Sequence, residues 1–251
     1  MRMRGRKPIM RIEWHQEIDS TQQRARALVE SGDRRYDAVC ADHQTAGRGR
    51  QGAHWHDTVG QSLLATLIVW DMPLPNPVGV VGVAAALAAA AALEMNYPDL
   101  PTVRLKYPND LLIDGRKLGG VLVEIVDGTS IVGLGVNLRQ MAFPPELESI
   151  AISVAQVCGH FEGGQAPRAE RASLMEHFRD FLDSYRMLWD DNPTLLHALW
   201  YERDDTIGRA YRVLDLPDQP IGTAVGISPK FELIVQLPNG AIHRTYHASA
   251  V

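Results

Sequence analysis

Gly47, Gly49 and Gly52 alternate with Arg48 and Arg50 inside ADHQTAGRGRQGAHW, residues 41–55 of the 251-residue chain. Glycine permits positive φ angles and close backbone approach, so amide N–H groups there can converge on a phosphate or carboxylate while the two guanidinium groups supply charge and paired donors. The chemistry this implies is capture of an anion by a loop that is mobile when empty. A solvated glycine turn with surface arginines is the plainer alternative. The segment is not a P-loop, because no Gly-Lys-Ser/Thr ends it, and it is not a dinucleotide-binding turn.

A second chemical segment is KYPNDLLIDGRKLGGVLVEI, residues 106–125. It reads as a strand end, a Pro-Asn-Asp turn, a short strand, an Asp-Gly hairpin turn and a buried strand. Lys117 directly precedes Leu118, Gly119 and Gly120, where missing side chains leave room for a ligand. Its ammonium either pairs with a carboxylate and a phosphate together or is solvated beside the hairpin. Asp110 either takes a proton from an incoming amine or caps its turn. His43, His54 and His56 crowd the glycine–arginine loop, but no cysteine is near and Asp42 and Asp57 sit in no recognised ligand spacing, so no bound metal is expected.

Something must hold these loops. Apolar runs of strand length at residues 9–14, 38–41, 63–70, 120–126 and 131–136 suggest one central sheet. Ser20 or Thr21 offers an N-cap for a helix through Val29, and Pro77 opens an Ala-rich helix reaching Met95. That Ala-rich stretch falls short of the ~20 residues needed to span a bilayer, so a buried helix is expected. Between Arg168 and Trp189, Leu174, Phe178, Phe181, Leu182, Tyr185 and Leu188 recur at helical spacing and define one apolar face. Beyond Asp205 the texture becomes all-β, with strands at 211–214, 223–227, 231–237 and 241–246 and a hairpin turn at Pro238, Asn239 and Gly240. The expected division is therefore residues 1–204 and 205–251.

Composition is ordinary for a globular chain, with 45% apolar and 22% charged residues. A formal net charge of −5 gives no general attraction to nucleic acid or acidic membranes. Cys40 and Cys158 lie in no metal-ligand or redox spacing and make no disulfide framework, which fits a reducing cytoplasm. Arg2, Arg4, Arg6 and Lys7 form a basic lead with no apolar run of signal-peptide length after it.

The ordered motifs Ser20-Thr21-Gln22, GRGRQGAHW, KYPND, KLGGVLVE and GLGVN (Gly133 to Asn137) resemble the signature of the biotin protein ligase family, whose pattern runs Ser-Thr-Asn, GRGRxGRxW, KWPND, KLGGILVE and GxGxN. The resemblance implies an α+β fold, a mixed central β-sheet flanked by helices, with a small C-terminal SH3-like β-barrel. It implies ATP-dependent activation of biotin to biotinyl-5'-AMP, with Mg2+ arriving on ATP, and transfer to a lysine of a biotin carboxyl carrier protein domain of a carboxylase. By the same resemblance Ser20, Thr21, Gln22 and Gln44 contact biotin, and Gly47, Arg48, Gly49, Arg50 and Trp55 close over it. Lys117, beside Gly119 and Gly120, bridges the biotin carboxylate and the α-phosphate. Asp110 serves transfer, while Asn109 and Asn137 lie on the nucleotide side.

Three positions depart from the family pattern: Gln22 for Asn, Tyr107 for Trp, and Ala53 for the third arginine of the loop. The last predicts a leakier adenylate. A biotin-sensing repressor is disfavoured because too few residues precede Ile9 for a helix-turn-helix, so no DNA partner is expected. A lipoyl or octanoyl transferase of the same fold and a non-catalytic biotin-binding module remain alternatives. The pattern leaves monomer and homodimer both open.

Overall fold

The computed structural model describes residues 9–71, 79–159, 161 and 164–251. The basic lead at positions 2–7 and Pro77 lie outside these. Seven strands build the main sheet: β1 (Ile12–Ile18), β2 (Ala38–Gln44), β3 (Ser62–Val69), β4 (Arg104–Lys106), β5 (Asp110–Ile113), β6 (Arg116–Val126) and β7 (Thr129–Asn137), in the order β1-β2-β3-β7-β6-β5-β4. Only β1 and β2 pair in parallel; the other pairings are antiparallel, so the sheet is mixed as expected. β1 starts at Ile12 rather than Ile9 and runs on to Ile18. Its polar His15, Gln16 and Glu17 hid that extension, and an edge strand tolerates them because one side faces water.

The helix α1 (Thr21–Glu30) covers one face of the sheet through Ala25, Leu28 and Val29, which meet Val39, Ile68, Val126 and Ile131. The other face carries α2 (Val80–Asn96), α4 (Arg168–Asp191) and α5 (Pro193–Arg203). α2 is buried almost all round from Val80 to Leu93. Alanine is the strongest helix former and its small side chain allows helix and sheet to approach closely. Among the described residues no helix is long and apolar enough to cross a membrane.

Two helices escaped the sequence reading. α3 (Val154–Cys158) opens with a capping box between Ser153 and Gln156, and α5 opens with Asn192 as N-cap and Pro193 in its first turn. Both signals are local, and neither helix carries the long apolar stripe that flags α4.

The C-terminal strands β8 (Ala210–Val213), β9 (Ile221–Ile227), β10 (Leu233–Gln236), β11 (Ile242–Thr245) and β12 (Ala248–Ala250) form a five-stranded antiparallel sheet in the order β11-β10-β9-β8-β12. β12, three residues long, carried too little pattern to be read. The hairpin at Pro238 to Gly240 is present, with Gly240 at φ 84°. Tyr107 ties this unit to the main sheet: its N–H donates to Thr206 Oγ1 (2.9 Å), its hydroxyl to the Phe231 carbonyl (3.2 Å), and its carbonyl accepts from the Tyr211 hydroxyl (2.8 Å). The exchange of tryptophan for Tyr107 thus supplies an oxygen that an indole lacks.

Candidate functional site

A cavity of about 520 Å³ is lined by the start of α1, the glycine–arginine loop, β3, the KYPND turn, β6 and β7. Of the residues selected from sequence, Ser20, Thr21, Gln22, Gln44, Arg48, Gly49, Arg50, Trp55, Asn109, Asp110, Lys117 and Gly120 line it. Its two ends differ chemically.

One end is a buried polar floor set in an apolar wall of Leu64, Ala65, Val121, Leu122 and Leu134. Ser20 is the N-cap of α1, yet its side chain makes no capping bond. The Thr21 N–H (2.7 Å) and hydroxyl (3.0 Å) both donate to Gln44 Oε1. Thr66 has a single hydroxyl proton, shared between Thr21 Oγ1 at 3.0 Å and Gln22 Oε1 at 3.1 Å. Gln22 Nε2 is buried with no hydrogen-bond partner among the described residues. A buried donor left unpaired in a cavity wall is where a ligand acceptor fits best, because leaving it unmet costs about 1–3 kcal/mol. The longer arm of Gln22, expected to shift a ligand bond, fits because β7 offers Gly133: a Cβ there would lie 2.8 Å from Gln22 Oε1.

β7 supplies a second flat seat. A Cβ on Gly135 would come within 2.9 Å of the Trp55 ring, so glycine alone lets the indole lie on the strand. Trp55 Nε1 is also buried without a hydrogen-bond partner among the described residues.

The other end is charged. Asp110 pairs with Lys106 and with Lys117, each at 2.7 Å. Burial pushes the Asp110 carboxyl upward, but Lys117 and Lys106 together outweigh that and hold it below the usual carboxylate value. Asp110 is thus a weak proton acceptor until a lysine leaves it. Arg50 forms no ion pair among the described residues, and burial lowers its pKa without threatening its charge. A half-desolvated guanidinium next to this cluster is poised for an anion.

A smaller cavity of about 190 Å³ adjoins the first, lined by His54, Trp55, His56, Lys117, Asn137, Phe143, Leu147, Ile150 and Ala151. Lys117, Trp55 and His54 line both. The backbone of Lys117 is held by the 150–152 segment: its N–H donates to the Ile150 carbonyl (2.7 Å) and its carbonyl accepts from Ile152 N–H (3.0 Å). Asn137 lies here and not in the larger cavity, and its Nδ2 donates to the carbonyls of Ile152 (3.1 Å) and Lys117 (3.4 Å). Two glycines expected on the ligand stand behind the wall instead. A Cβ on Gly47 would lie 3.1 Å from Gln44 Nε2, and one on Gly119 only 2.6 Å from the Gly135 carbonyl, so both serve close backbone packing.

Sequence reasoning gave no site role to Thr66, Ser249 and Ala250, nor to Gly133 and Gly135 of the GLGVN motif. Thr66 was visible as a lone hydroxyl in the apolar run SLLATLIV. The glycines of GLGVN were visible as a repeat at strand period. Ser249 and Ala250, from β12, reach the cavity only through tertiary structure. Among the described residues no group of three or more metal-ligating side chains occurs.

The sequence profile described as "Biotin/lipoate A/B protein ligase family" matches residues 14–139. "Bifunctional ligase/repressor BirA" of Bacillus spizizenii is 31% identical over 245 residues, covering 92% of this chain and 70% of that protein. "Biotin--[acetyl-CoA-carboxylase] ligase" of Mycobacterium tuberculosis is 32% identical over 182 residues, covering 71% and 64%. In fold, the chain is similar to the biotin protein ligase of Aquifex aeolicus in complex with biotin and ATP, with a TM-score of 0.73 at 24% identity over 96% of this chain and 98% of that one. With the profile spanning half of the chain and a relative above 30% identity aligned along nearly all of it, the chain belongs to the biotin/lipoate A/B protein ligase family.

Proposed function

We propose that the chain is an ATP-dependent biotin protein ligase, acting in the cytoplasm on the carrier domain of a biotin-dependent carboxylase. One observation carries the reading: Lys117 stands where two cavities meet, one with a polar floor and apolar walls, the other a smaller one beside it. A carboxylate entering from the first and a phosphate from the second would face the same ammonium.

In this reading the ureido ring of biotin lies on the floor made by Ser20, Thr21, Gln22 and Gln44, with Gln22 Nε2 as the waiting donor. Lys117 turns from Asp110 to the carboxylate and α-phosphate and offsets their repulsion. The carboxylate oxygen then bonds to the α-phosphorus as the bond to the β-phosphate bridge breaks, and pyrophosphate leaves. Arg48 and Arg50 neutralise the growing charge. Magnesium would come with ATP on phosphate oxygens and water. Asp110, released by Lys117, receives the incoming lysine ammonium and orients its nitrogen toward the acyl carbon. The ammonium first gives one proton to Asp110 or to solvent, which frees the nitrogen lone pair; the C–N bond then forms, the C–O bond to phosphate breaks, AMP leaves and the second amine proton passes to solvent or phosphate. Positioning of this kind supplies up to about 7–11 kcal/mol. The units at 1–204 and 205–251 divide the work, the first holding the ligands and β12 of the second flanking the opening.

Incubation with ATP, labelled biotin and an acceptor carrier domain tests this. Label on one acceptor lysine supports it; label from lipoate or octanoate but not from biotin supports the transferase alternative, and binding without transfer supports a binding module.

A further inference from the structure

The glycine–arginine loop is a small hairpin-like excursion. Trp55 N–H donates to the Gly47 carbonyl (3.1 Å), Gly49 N–H to the Ala53 carbonyl (2.7 Å), and Arg48 and His54 face each other as an antiparallel bridge. Below this, Gly60 N–H donates to the Asp42 carbonyl (2.7 Å). Between the two levels His43 Nδ1 meets Asp57 Oδ2 at 2.8 Å. Among the described residues this is the one side-chain hydrogen bond joining the two legs of the loop. Asp57 carries its carboxylate at 2% side-chain exposure, with His43 as its partner. A carboxylate oxygen accepts, so the Nδ1–H of His43 donates this bond.

Neither residue lines either of the two cavities described above. Their neighbours do: Gln44, next to His43, holds the polar floor, and Trp55, two residues before Asp57, lies on Gly135 and shares both cavities with Lys117. A hydrogen bond between the legs, part-buried with its carboxylate end fully enclosed, therefore fixes the spacing of Gln44 and Trp55, the two ligand-facing side chains at the root of the loop.

We propose that His43 and Asp57 form a clasp that positions the loop for ligand retention, a positioning pair rather than catalytic residues. The proposal rests on the ligase reading above, since it is the adenylate that the loop would retain. Ala53, which stands where the family pattern has a third arginine, leaves the loop with fewer direct ligand contacts, and the clasp supplies order from behind.

The test compares wild type with His43→Ala, His43→Asn and the double variant His43→Ala/Asp57→Ala. Asparagine places an amide N–H near the position of Nδ1. The double variant removes the tie without leaving a buried charge unpaired, so it separates loss of the clasp from misfolding. Three quantities are read: release of preformed biotinyl-adenylate, KM for biotin against the rate of transfer from retained adenylate, and hydrogen exchange at the amides of Gly49, Ala53 and Trp55. The double variant is expected to keep the wild-type melting temperature, exchange these amides faster, release adenylate roughly tenfold faster and raise KM for biotin in proportion, with transfer unchanged. His43→Asn is expected to restore all three. Wild-type release and exchange in the double variant overturn the proposal, as does failure of asparagine to rescue. Should wild type form no adenylate, the ligase reading fails, while the exchange data still decide whether the clasp orders the loop.

Discussion

Replacing Lys117 by alanine separates charge neutralisation from folding. In the fold, Lys117 contributes one of two ammonium groups on Asp110, and Lys106 stays at 2.7 Å when it is removed. Exposed or half-exposed pairs are worth ~0–1 kcal/mol, so the melting temperature should fall by only a few degrees. In the reaction the loss is larger. Two unit charges ~4 Å apart at an effective dielectric of ~20 interact by about 4 kcal/mol. Lys117 is 40% exposed, and halving the Coulomb figure for solvent screening in the open site leaves about 2 kcal/mol as the smaller estimate. The rate of biotin-dependent pyrophosphate release should therefore fall between about thirtyfold and about a thousandfold. Transfer from chemically made biotinyl-adenylate should fall less, because the mixed anhydride is already formed. A coupled pyrophosphate assay reads the first and single-turnover acceptor labelling the second. Pyrophosphate release within threefold of wild type in a folded variant would refute the reasoning, and so would an equal loss in both steps.

Three further outcomes follow from the geometry. Ala53 is exposed and lines the main cavity, so Ala53→Arg should slow adenylate release between about tenfold and about a hundredfold, by a charged hydrogen bond worth ~1.5–3 kcal/mol; equal release rates in a filter-binding assay would contradict this. Gly135→Ala puts a methyl 2.9 Å from the Trp55 ring, and overpacking of this kind costs about 1–3 kcal/mol; calorimetry should show reduced stability and biotin titration weaker binding, whereas wild-type values for both would remove the Trp55 seat from the account. The Asp110 carboxyl is held below its ordinary 3.8, so its share of stability is present above the unfolded-state value and is lost as pH falls through the lower folded one. Carbon NMR should place its midpoint below 3.8 in wild type and higher in Lys106→Met; a higher wild-type midpoint would contradict the ion-pair cluster.

The motif residues were legible because their chemistry is local. GRGRQG, KYPND and KLGGVLVE name their own donors, and the structure brings Arg50, Asp110 and Lys117 to one wall. The central strands were legible from apolar runs, and α4 from its stripe. What stayed hidden depends on register between distant segments. Gly133 and Gly135 matter because α1 and the loop place Gln22 and Trp55 above them, and Ser249 reaches the cavity because Tyr107 anchors the C-terminal sheet. Asn137, expected on the nucleotide side, lines the smaller cavity, and its amide nitrogen donates to the backbone carbonyls of Lys117 and Ile152. Gly47 and Gly119 looked like ligand contacts for the same reason that they are glycines: something passes close, but it is the protein's own backbone and side chains.

The central claim is that two ligands meet at Lys117 and are joined there before any acceptor arrives. Biotin-dependent exchange of labelled pyrophosphate into ATP, measured on the wild-type chain without acceptor, tests it most directly. The account predicts saturable exchange that requires biotin, is not supported by lipoate or octanoate, and is reduced at least thirtyfold in Lys117→Ala. Exchange that proceeds without biotin, or that survives the loss of Lys117, would contradict it.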